Sequence, residues 1–178
     1  SLVYSIFNKL KFDDFKIKLN NRKILLGISE ELNFKNKFEK FCILIDKIDK
    51  IGVTGLKKEM KLNKFPTSSI KKLISLIELK GNNSLKINYI KTFLSDSKIG
   101  LEGINEIENL MKIKSDFYLD FTLARGLSYY TSTIFEVVST NNNIGSLCGG
   151  GRYDDLTEIF GYKNISGIGI SFGIERII

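Results

Sequence analysis

The chain has 178 residues and a net charge of +7, with 43% hydrophobic and 26% charged residues, which is typical of a globular protein with one core or a core and a small insertion. No apolar run approaches the roughly 20 residues that span a bilayer, and the first ten residues lack the apolar stretch of a signal peptide, so we expect a cytoplasmic protein without a membrane partner. The use of only two cysteines, Cys42 and Cys148, and the absence of histidine argue against a disulfide framework and against a zinc or iron–sulfur site.

The first part of the chain is predicted to alternate helix and strand. Apolar positions over residues 1–9 have the spacing of a helix end, and Phe15–Leu19 alternates apolar and polar residues like a half-buried strand. Asn20 and Asn21 then supply a cap for a helix over Arg22–Leu32, whose apolar residues recur at helical spacing.

The middle of the chain is predicted to be all helical. Gly52 is a plausible helix end, Pro66 and the residues after it open a helix, and Gly81 follows one. Five helices are predicted here, over Phe38–Ile51, Val53–Leu62, Ile70–Leu79, Leu85–Leu94 and Ile99–Ile113. The region is rich in Lys, Glu and Asn, so we interpret it as a helical insertion beside a sheet.

Strand patterns return in the last third of the chain. Strands are predicted over Phe117–Phe121, Thr133–Thr140 and Ser166–Phe172, with a hairpin turn at 141–145. A short helix is expected over Leu156–Phe160, and another begins near Gly173. The natural fold class is α+β, with an antiparallel sheet, flanking helices and the helical insertion.

The positive charge comes from lysines that are scattered through the chain. Nucleic-acid binding is one interpretation of this charge, and compositional drift, which we prefer for most lysines, is the other. Arginine is scarce, and three of the four arginines lie in the last third: Arg22, Arg125, Arg152 and Arg176. Because arginine suits bidentate recognition of phosphate or carboxylate, this clustering is a mild indication of function.

Residues 123–136 carry the most informative pattern. Arg125, Gly126, Tyr129 and Tyr130 lie between two apolar, strand-like runs. Neighbouring side chains of a strand point to opposite faces, so this concentration of polar groups at a strand-to-turn junction suggests a small-ligand site. A half-buried hairpin with an exposed arginine explains this segment alone equally well.

Glycine and arginine occur together twice more. Arg152 and Tyr153 follow Gly149–Gly151, and Arg176 follows Gly173 by three residues. Glycine allows close approach of the backbone to a ligand, so the repetition favours a binding site over a surface turn. The chain has no P-loop pattern and no histidine for a nucleophilic triad, which leaves electrostatic chemistry by arginines in a pocket shaped by tyrosines.

Three motifs resemble those of histidyl-tRNA synthetases, in the same order and with the same spacing. Residues 124–131, Ala-Arg-Gly-Leu-Ser-Tyr-Tyr-Thr, resemble the first histidine-specific motif, usually Arg-Gly-Leu-Asp-Tyr-Tyr. Residues 149–154 resemble the second such motif, and residues 167–176 resemble class II motif 3. Residues 20–24 and 46–50 look like the eukaryotic-type enzymes.

The resemblance divides the chain and implies a reaction. Residues 1–45 would be a catalytic-domain segment, 46–114 a helical insertion, and 115–178 the catalytic sheet with the histidine motifs and a truncated motif 3. The family forms histidyl-adenylate from L-histidine and ATP, with Mg²⁺ accompanying ATP and no protein-bound metal. It then transfers histidine to tRNA(His), and the parent protein is expected to be a homodimer.

The resemblance also implies roles for individual residues. Arg125 would be the catalytic residue, in contact with the α-phosphate of ATP and the histidine carboxylate. Those implied to bind histidine are Arg125, Tyr129, Tyr130, Gly149, Gly150 and Tyr153. Those implied to bind ATP are Arg125, Gly173 and Arg176.

Two positions depart from the family pattern. Ser128 stands where Asp is usual, and Asp155 stands where Gly is common. Motifs 1 and 2 and an anticodon-binding domain are absent from the sequence, so we expect a fragment that does not aminoacylate tRNA by itself. A non-catalytic regulatory or sensor relative and a general nucleic-acid-binding module are the alternatives.

Overall fold

A five-stranded sheet forms the centre of the protein. The computed structural model describes residues 2–114, 116–141 and 144–177, apart from the side chain of residue 159. The strands are β1 (Phe15–Asn21), β2 (Phe117–Leu119), β3 (Thr133–Ser139), β4 (Ser146–Tyr153) and β5 (Gly167–Phe172). Their order is β2-β1-β3-β4-β5, with β2 parallel to β1 and every other neighbouring pair antiparallel. The predicted α+β class is confirmed. The parallel pairing of β1 with the edge strand β2 differs from the antiparallel sheet that was predicted.

Helices surround this sheet. They are α1 (Leu2–Lys9), α2 (Arg22–Glu31), α3 (Phe38–Asp46), α4 (Ile48–Leu62), α5 (Thr67–Ile77), α6 (Asn83–Phe93), α7 (Lys98–Ile113) and α8 (Ile174–Ile177), with 3₁₀ turns at Lys35–Lys37 and Leu156–Phe160. The Asn21 side chain accepts a hydrogen bond from the Lys23 amide at the start of α2, which confirms the predicted cap. The predicted hairpin turn at 141–145 includes residues 142 and 143, which lie outside the described residues.

The single helix predicted over Phe38–Ile51 is wrong. Helix α3 ends at Asp46, Lys47 forms a junction, and α4 begins at Ile48. Gly52 then has φ +65° inside α4, so the backbone leaves the helical conformation there, as the sequence predicted, before Val53–Leu62 continues. The apolar spacing runs through the Lys47 junction without a break, so periodicity does not reveal it. The junction places Asp46 at a helix end.

Helices α2 and α7 cross at very close range. A Cβ atom added to Gly27 would lie 2.7 Å from the Cα of Gly100, and one added to Gly103 would lie 2.9 Å from the Ile24 amide nitrogen. Both helices also contact β1. Helix α7, within the predicted insertion, is therefore packed against the sheet and α2 with almost no freedom to shift.

The register of the sheet separates its two faces. One row of paired residues belongs to the core and packs near Phe7 of α1: Ile17, Val137, Cys148 and Phe172. The adjacent row points to the opposite face: Lys18, Glu136, Gly149 and Ser171. None of the helices in the described ranges combines the length and hydropathy needed to cross a membrane.

Candidate active site

A tight turn after β2 carries Arg125 to the polar face of the sheet. Asp120 accepts hydrogen bonds from the amide and hydroxyl of Thr122, at 2.9 and 2.6 Å, and forms an ion pair with Lys18 at 3.0 Å. Arg125 itself has φ +46°, a left-handed conformation that is unfavourable for a residue with a side chain. Such strain persists only where the surroundings hold it, and it is often found at functional sites.

The guanidinium group of Arg125 lies directly over Gly149. A Cβ atom added to Gly149 would be 2.8 Å from Cζ of Arg125 and closer still to Nη1, so any side chain there would displace the guanidinium. The Nε atom of Arg125 is buried without a hydrogen-bond partner in the described part of the chain. Its Cζ lies 5.8 Å from the centre of the Tyr130 ring. The Arg125 side chain is therefore held by close packing, and its Nε donor is not used by a partner in the described part of the chain.

Three tyrosines cluster beside this arginine. The Tyr129 ring centre is 4.5 Å from that of Tyr130 and 6.2 Å from that of Tyr153. Tyr130 is buried, whereas Tyr129 is exposed. The hydrogen bond with Tyr130 and then burial raise the pKa of Tyr129, and the nearby Arg125 charge only partly opposes this. Tyr129 therefore remains protonated near neutral pH, and its hydroxyl can take part in hydrogen bonds.

Glycines make room for these rings. A Cβ atom on Gly151 would lie 2.7 Å from Cδ1 of Tyr130, and one on Gly167 would lie 2.8 Å from Cδ2 of Tyr153. The glycine run 149–151 is thus part of strand β4, not a flexible turn. Gly150 faces the other side, where a Cβ would be 2.9 Å from the Phe135 ring. Gly149 therefore faces Arg125, whereas Gly150 faces the opposite side of the sheet.

A broad cavity of about 820 Å³ opens next to Arg125. It is lined by two basic and three acidic residues, together with other residues of β4, β5 and α8. The predicted site residues that line it are Arg125, Gly149, Gly173 and Arg176. Tyr129, Tyr130 and Tyr153 lie beside this cavity, in contact with one another, and are not part of its lining. The two groups of predicted residues meet at Arg125.

Arg176 also lines the cavity. Its Nη1 atom donates a hydrogen bond to the Ser146 carbonyl at 2.7 Å, and its amide bonds to the Gly173 carbonyl at 2.9 Å. The Gly173 amide in turn donates to the Leu147 carbonyl at 2.8 Å. Arg176 is exposed, so its remaining donors face solvent and the cavity. The cavity therefore offers the guanidinium groups of Arg125 and Arg176 to an anionic ligand.

Arg152 has a supporting position. It is exposed, and its Nε donates to Asp154 at 2.9 Å. Asp154 also accepts from the Thr131 hydroxyl at 2.6 Å, while the Thr131 amide bonds to the Arg152 carbonyl at 3.0 Å. These contacts attach the end of the Arg125–Tyr130 turn to β4.

Three acidic residues that line the cavity were not predicted from the sequence as site residues. They are Asp46, Glu136 and Glu175. Glu136 could have been found from the alternation of β3, since it interrupts an apolar strand on the polar face. Asp46 carries no such signal, because it reaches the cavity from the end of α3 through tertiary packing alone.

Neither cysteine is suited to nucleophilic chemistry. Burial raises the pKa of Cys148 to about 11, and the nearby Arg125 lowers it only in part. Burial likewise raises the pKa of Cys42 to about 12. Both stay protonated near neutral pH, as expected of small core residues. No group of three or more potential metal ligands occurs among the described residues.

Comparison with known proteins identifies close relatives of the chain. The family model for histidyl-tRNA synthetase matches residues 1–177. Histidine–tRNA ligases of Cytophaga hutchinsonii and Christiangramia forsetii are 44% and 46% identical over 99% and 97% of this chain. The chain spans only 40% of the length of each of these relatives.

Solved structures share the fold. The histidyl-tRNA synthetase from Nostoc sp. PCC 7120 superimposes with a TM-score of 0.89 at 28% identity, over 99% of this chain and 44% of that one. An ATP phosphoribosyltransferase regulatory subunit/histidyl-tRNA synthetase from Bacillus halodurans has a TM-score of 0.75 at 19% identity, over 98% of this chain and 47% of that one, which shows a common fold.

The expected eukaryotic type is not supported, because the relatives named above are bacterial. The segments that suggested it have structural roles here. Asn20 donates to the Leu123 carbonyl at 2.9 Å, Asn21 caps α2, and residues 46–50 form the junction between α3 and α4. Such roles serve the fold and do not indicate lineage.

Proposed function

The chain belongs to the histidyl-tRNA synthetase family, and from this premise we propose that it provides the histidine-binding wall of a histidine–tRNA ligase active site. The observation that carries the proposal is the Arg125 guanidinium, which lies over Gly149 between the tyrosine cluster and the cavity that Arg176 also lines. This arrangement offers an aromatic pocket and two cationic groups to a ligand pair of the size of histidine and ATP.

In the proposed first step, an oxygen of the histidine carboxylate attacks the α-phosphorus of ATP. A bond to the α-phosphorus forms, the bond to the bridging oxygen breaks, and pyrophosphate leaves with the electron pair. Negative charge builds on the phosphoryl oxygens, and Arg125 lies where it can stabilise that charge while also holding the carboxylate. A preorganised donor of this kind contributes about 3 kcal/mol to transition-state stabilisation.

The remaining site residues bind and orient the two substrates. Tyr129 and Tyr130 line the imidazole pocket, where a phenol hydroxyl hydrogen-bonds a ring nitrogen, with Gly149 and Tyr153 beside them. Gly173 and Arg176 contact ATP, with the guanidinium against the adenine and the outer phosphates. Mg²⁺ enters bound to ATP as part of the substrate.

Transfer of histidine to tRNA(His) completes the proposed reaction. A ribose hydroxyl of the terminal adenosine attacks the carbonyl carbon of histidyl-adenylate, and AMP leaves. Residues 46–114 contain 14 lysines and 8 acidic residues, so they hold most of the excess charge that would attract tRNA. We place the protein in the cytoplasm, as a homodimer. The expectation that the chain does not aminoacylate tRNA by itself stays a prediction.

A non-catalytic regulatory or sensor domain is the second candidate. Ser128 favours it, because a carboxylate that is usual at this position is missing beside the candidate histidine pocket. Arg125, Tyr129 and Tyr130 favour the enzyme, since a degraded site would not require them.

Histidine-dependent exchange of pyrophosphate into ATP tests the proposal on the protein as its gene encodes it. Arg125→Lys keeps the charge but loses the planar fork, so we expect an exchange rate about 100-fold lower. Arg152→Lys is the matched control, because Arg152 is exposed and pairs with Asp154, and its rate should stay within about threefold of the unmodified protein. Equal rates for the two variants, or no exchange by the unmodified protein, would overturn the proposal.

A further inference from the structure

Glu106, on helix α7, joins three separate elements around the end of the Arg125–Tyr130 turn. Its Oε2 atom accepts hydrogen bonds from the Ser132 hydroxyl and, at 2.7 Å, from Nδ2 of Asn21. Its Oε1 atom accepts from Nζ of Lys23 at 2.6 Å. One carboxylate therefore binds the residue before β3, the end of β1 and the first turn of α2.

The carboxylate is ionised in the folded protein. Burial on its own raises the pKa of Glu106, but the hydrogen bonds from Lys23, Ser132 and Asn21 outweigh it, and the pKa is lowered. Hydrogen bonds to a charged acceptor are stronger than those between neutral groups. Ser132 is thus held by a strong acceptor rather than by water.

Ser132 is fixed on both sides. Its side chain is bound to Glu106, and its carbonyl accepts a hydrogen bond from the Arg22 amide at 2.9 Å. The residue is buried and lies two positions after Tyr130, whose ring packs over Gly151 and faces the Arg125 guanidinium. A shift of Ser132 would therefore move the Tyr130 ring relative to Gly151.

Helix α7 is a rigid support for this carboxylate. The close approaches of Gly100 to Gly27 and of Gly103 to Ile24 leave no space for the helix to slide along α2. A carboxylate on such a helix has a fixed position relative to the sheet. A long side chain on a mobile segment would not define the position of Ser132 in this way.

We propose that Glu106 is a positioning residue for the histidine pocket: through Ser132 it fixes Tyr130, and so sets the affinity for L-histidine without touching either substrate. The inference rests on the proposed function, because it assigns Tyr130 to the imidazole pocket. ATP is assigned to the other end of the cavity, near Gly173 and Arg176, so the effect is confined mainly to histidine.

Glu102 provides a matched control one turn earlier on α7. Its Oε1 atom accepts from the same Lys23 Nζ at 2.6 Å, but no contact joins it to Ser132 in the described structure. Glu102→Ala and Glu106→Ala each remove one negative charge and one ion pair of Lys23. Only the second also removes the acceptor of the Ser132 hydroxyl and of the Asn21 amide group.

The test is pyrophosphate exchange by the protein as its gene encodes it, with KM measured separately for L-histidine and for ATP. For Glu106→Ala we expect a KM for histidine about tenfold higher and a KM for ATP within twofold, since one charge-assisted hydrogen bond contributes roughly that factor. Glu102→Ala should change neither KM. Glu106→Gln, which keeps an oxygen to accept from Ser132, should recover most of the loss.

Ser132→Ala provides a second variant that does not depend on the folding of Glu106→Ala. It should raise the KM for histidine to the same degree, and the double variant should add nothing further, because each change removes the hydrogen bond between Ser132 and Glu106. Equal histidine KM values for Glu102→Ala and Glu106→Ala, additive effects, or parallel changes for ATP would overturn the inference while leaving the proposed function intact. An unmodified protein without exchange activity would overturn both.

Discussion

Replacement of Gly149 by alanine tests whether the close contact with Arg125 matters for the proposed reaction. The added methyl group would lie 2.8 Å from Cζ of Arg125, whereas such atoms prefer a separation of about 3.6 Å. The guanidinium must therefore retreat by about 1 Å. A misplacement of this size costs about 100-fold in rate, which is about 2.7 kcal/mol of transition-state stabilisation.

The fold should survive this substitution, because the atoms in the way belong to the end of a long side chain that can move. In the protein as its gene encodes it, we expect Gly149→Ala to lower histidine-dependent pyrophosphate exchange about 100-fold, with a change in the free energy of unfolding below about 1 kcal/mol.

Gly126→Ala is the control for Gly149→Ala. The nearest atom to its added methyl group would be an Asp46 oxygen at 3.4 Å, an ordinary contact, so its exchange rate should fall far less. If Gly149→Ala retains full exchange activity while folding normally, the guanidinium does not act from the position seen over Gly149.

Two further predictions follow from buried titratable groups. Burial raises the pKa of Cys148 to about 11 and that of Cys42 to about 12. A thiol reagent at pH 8 should therefore modify neither cysteine in the folded protein and both after unfolding in urea. Rapid modification of the folded protein would contradict this prediction. Burial raises the pKa of Asp120, but the Lys18 charge and the Thr122 hydrogen bonds outweigh burial, so the pKa in the folded protein is lowered. The ionised carboxylate therefore stabilises the fold at pH values above the pKa of Asp in the unfolded chain, and this stabilisation is lost as the pH falls through the folded-state pKa. Asp120→Asn should therefore lower the free energy of unfolding by about 2 kcal/mol at pH 7, and this difference should shrink below about pH 4 in chemical denaturation; a difference independent of pH would refute the ion pair.

Local signals account for the elements that the sequence predicted well. The cap at Asn21, the alternation of β1 and the left-handed Gly52 each depend on residues within a few positions of one another. The junction at Lys47 was missed because the apolar spacing of α3 continues into α4. The close crossing of α7 over α2 was missed for another reason: a glycine within a helix pattern does not indicate which helix approaches it.

The candidate site was predicted in part from motif order. Arg125, Gly149 and Arg176 were singled out, and the structure brings these three residues to one cavity. The sequence could not show which of Gly149 and Gly150 faces Arg125, because the side of the sheet that each one faces depends on the register of β4 against β3. The position of Asp46 at the cavity could not be predicted either, because it comes from a helix that is far away in the sequence.

The sequence by itself determined the family, the α+β class and the residue types available for chemistry, because these follow from local pattern and motif order. Only the tertiary structure decided which face each glycine takes, that the Arg125 guanidinium lies over Gly149, and that Glu106 reaches Ser132. The reason is physical: strand register, a left-handed backbone at Arg125 and helix crossings are set by contacts between segments far apart in the chain.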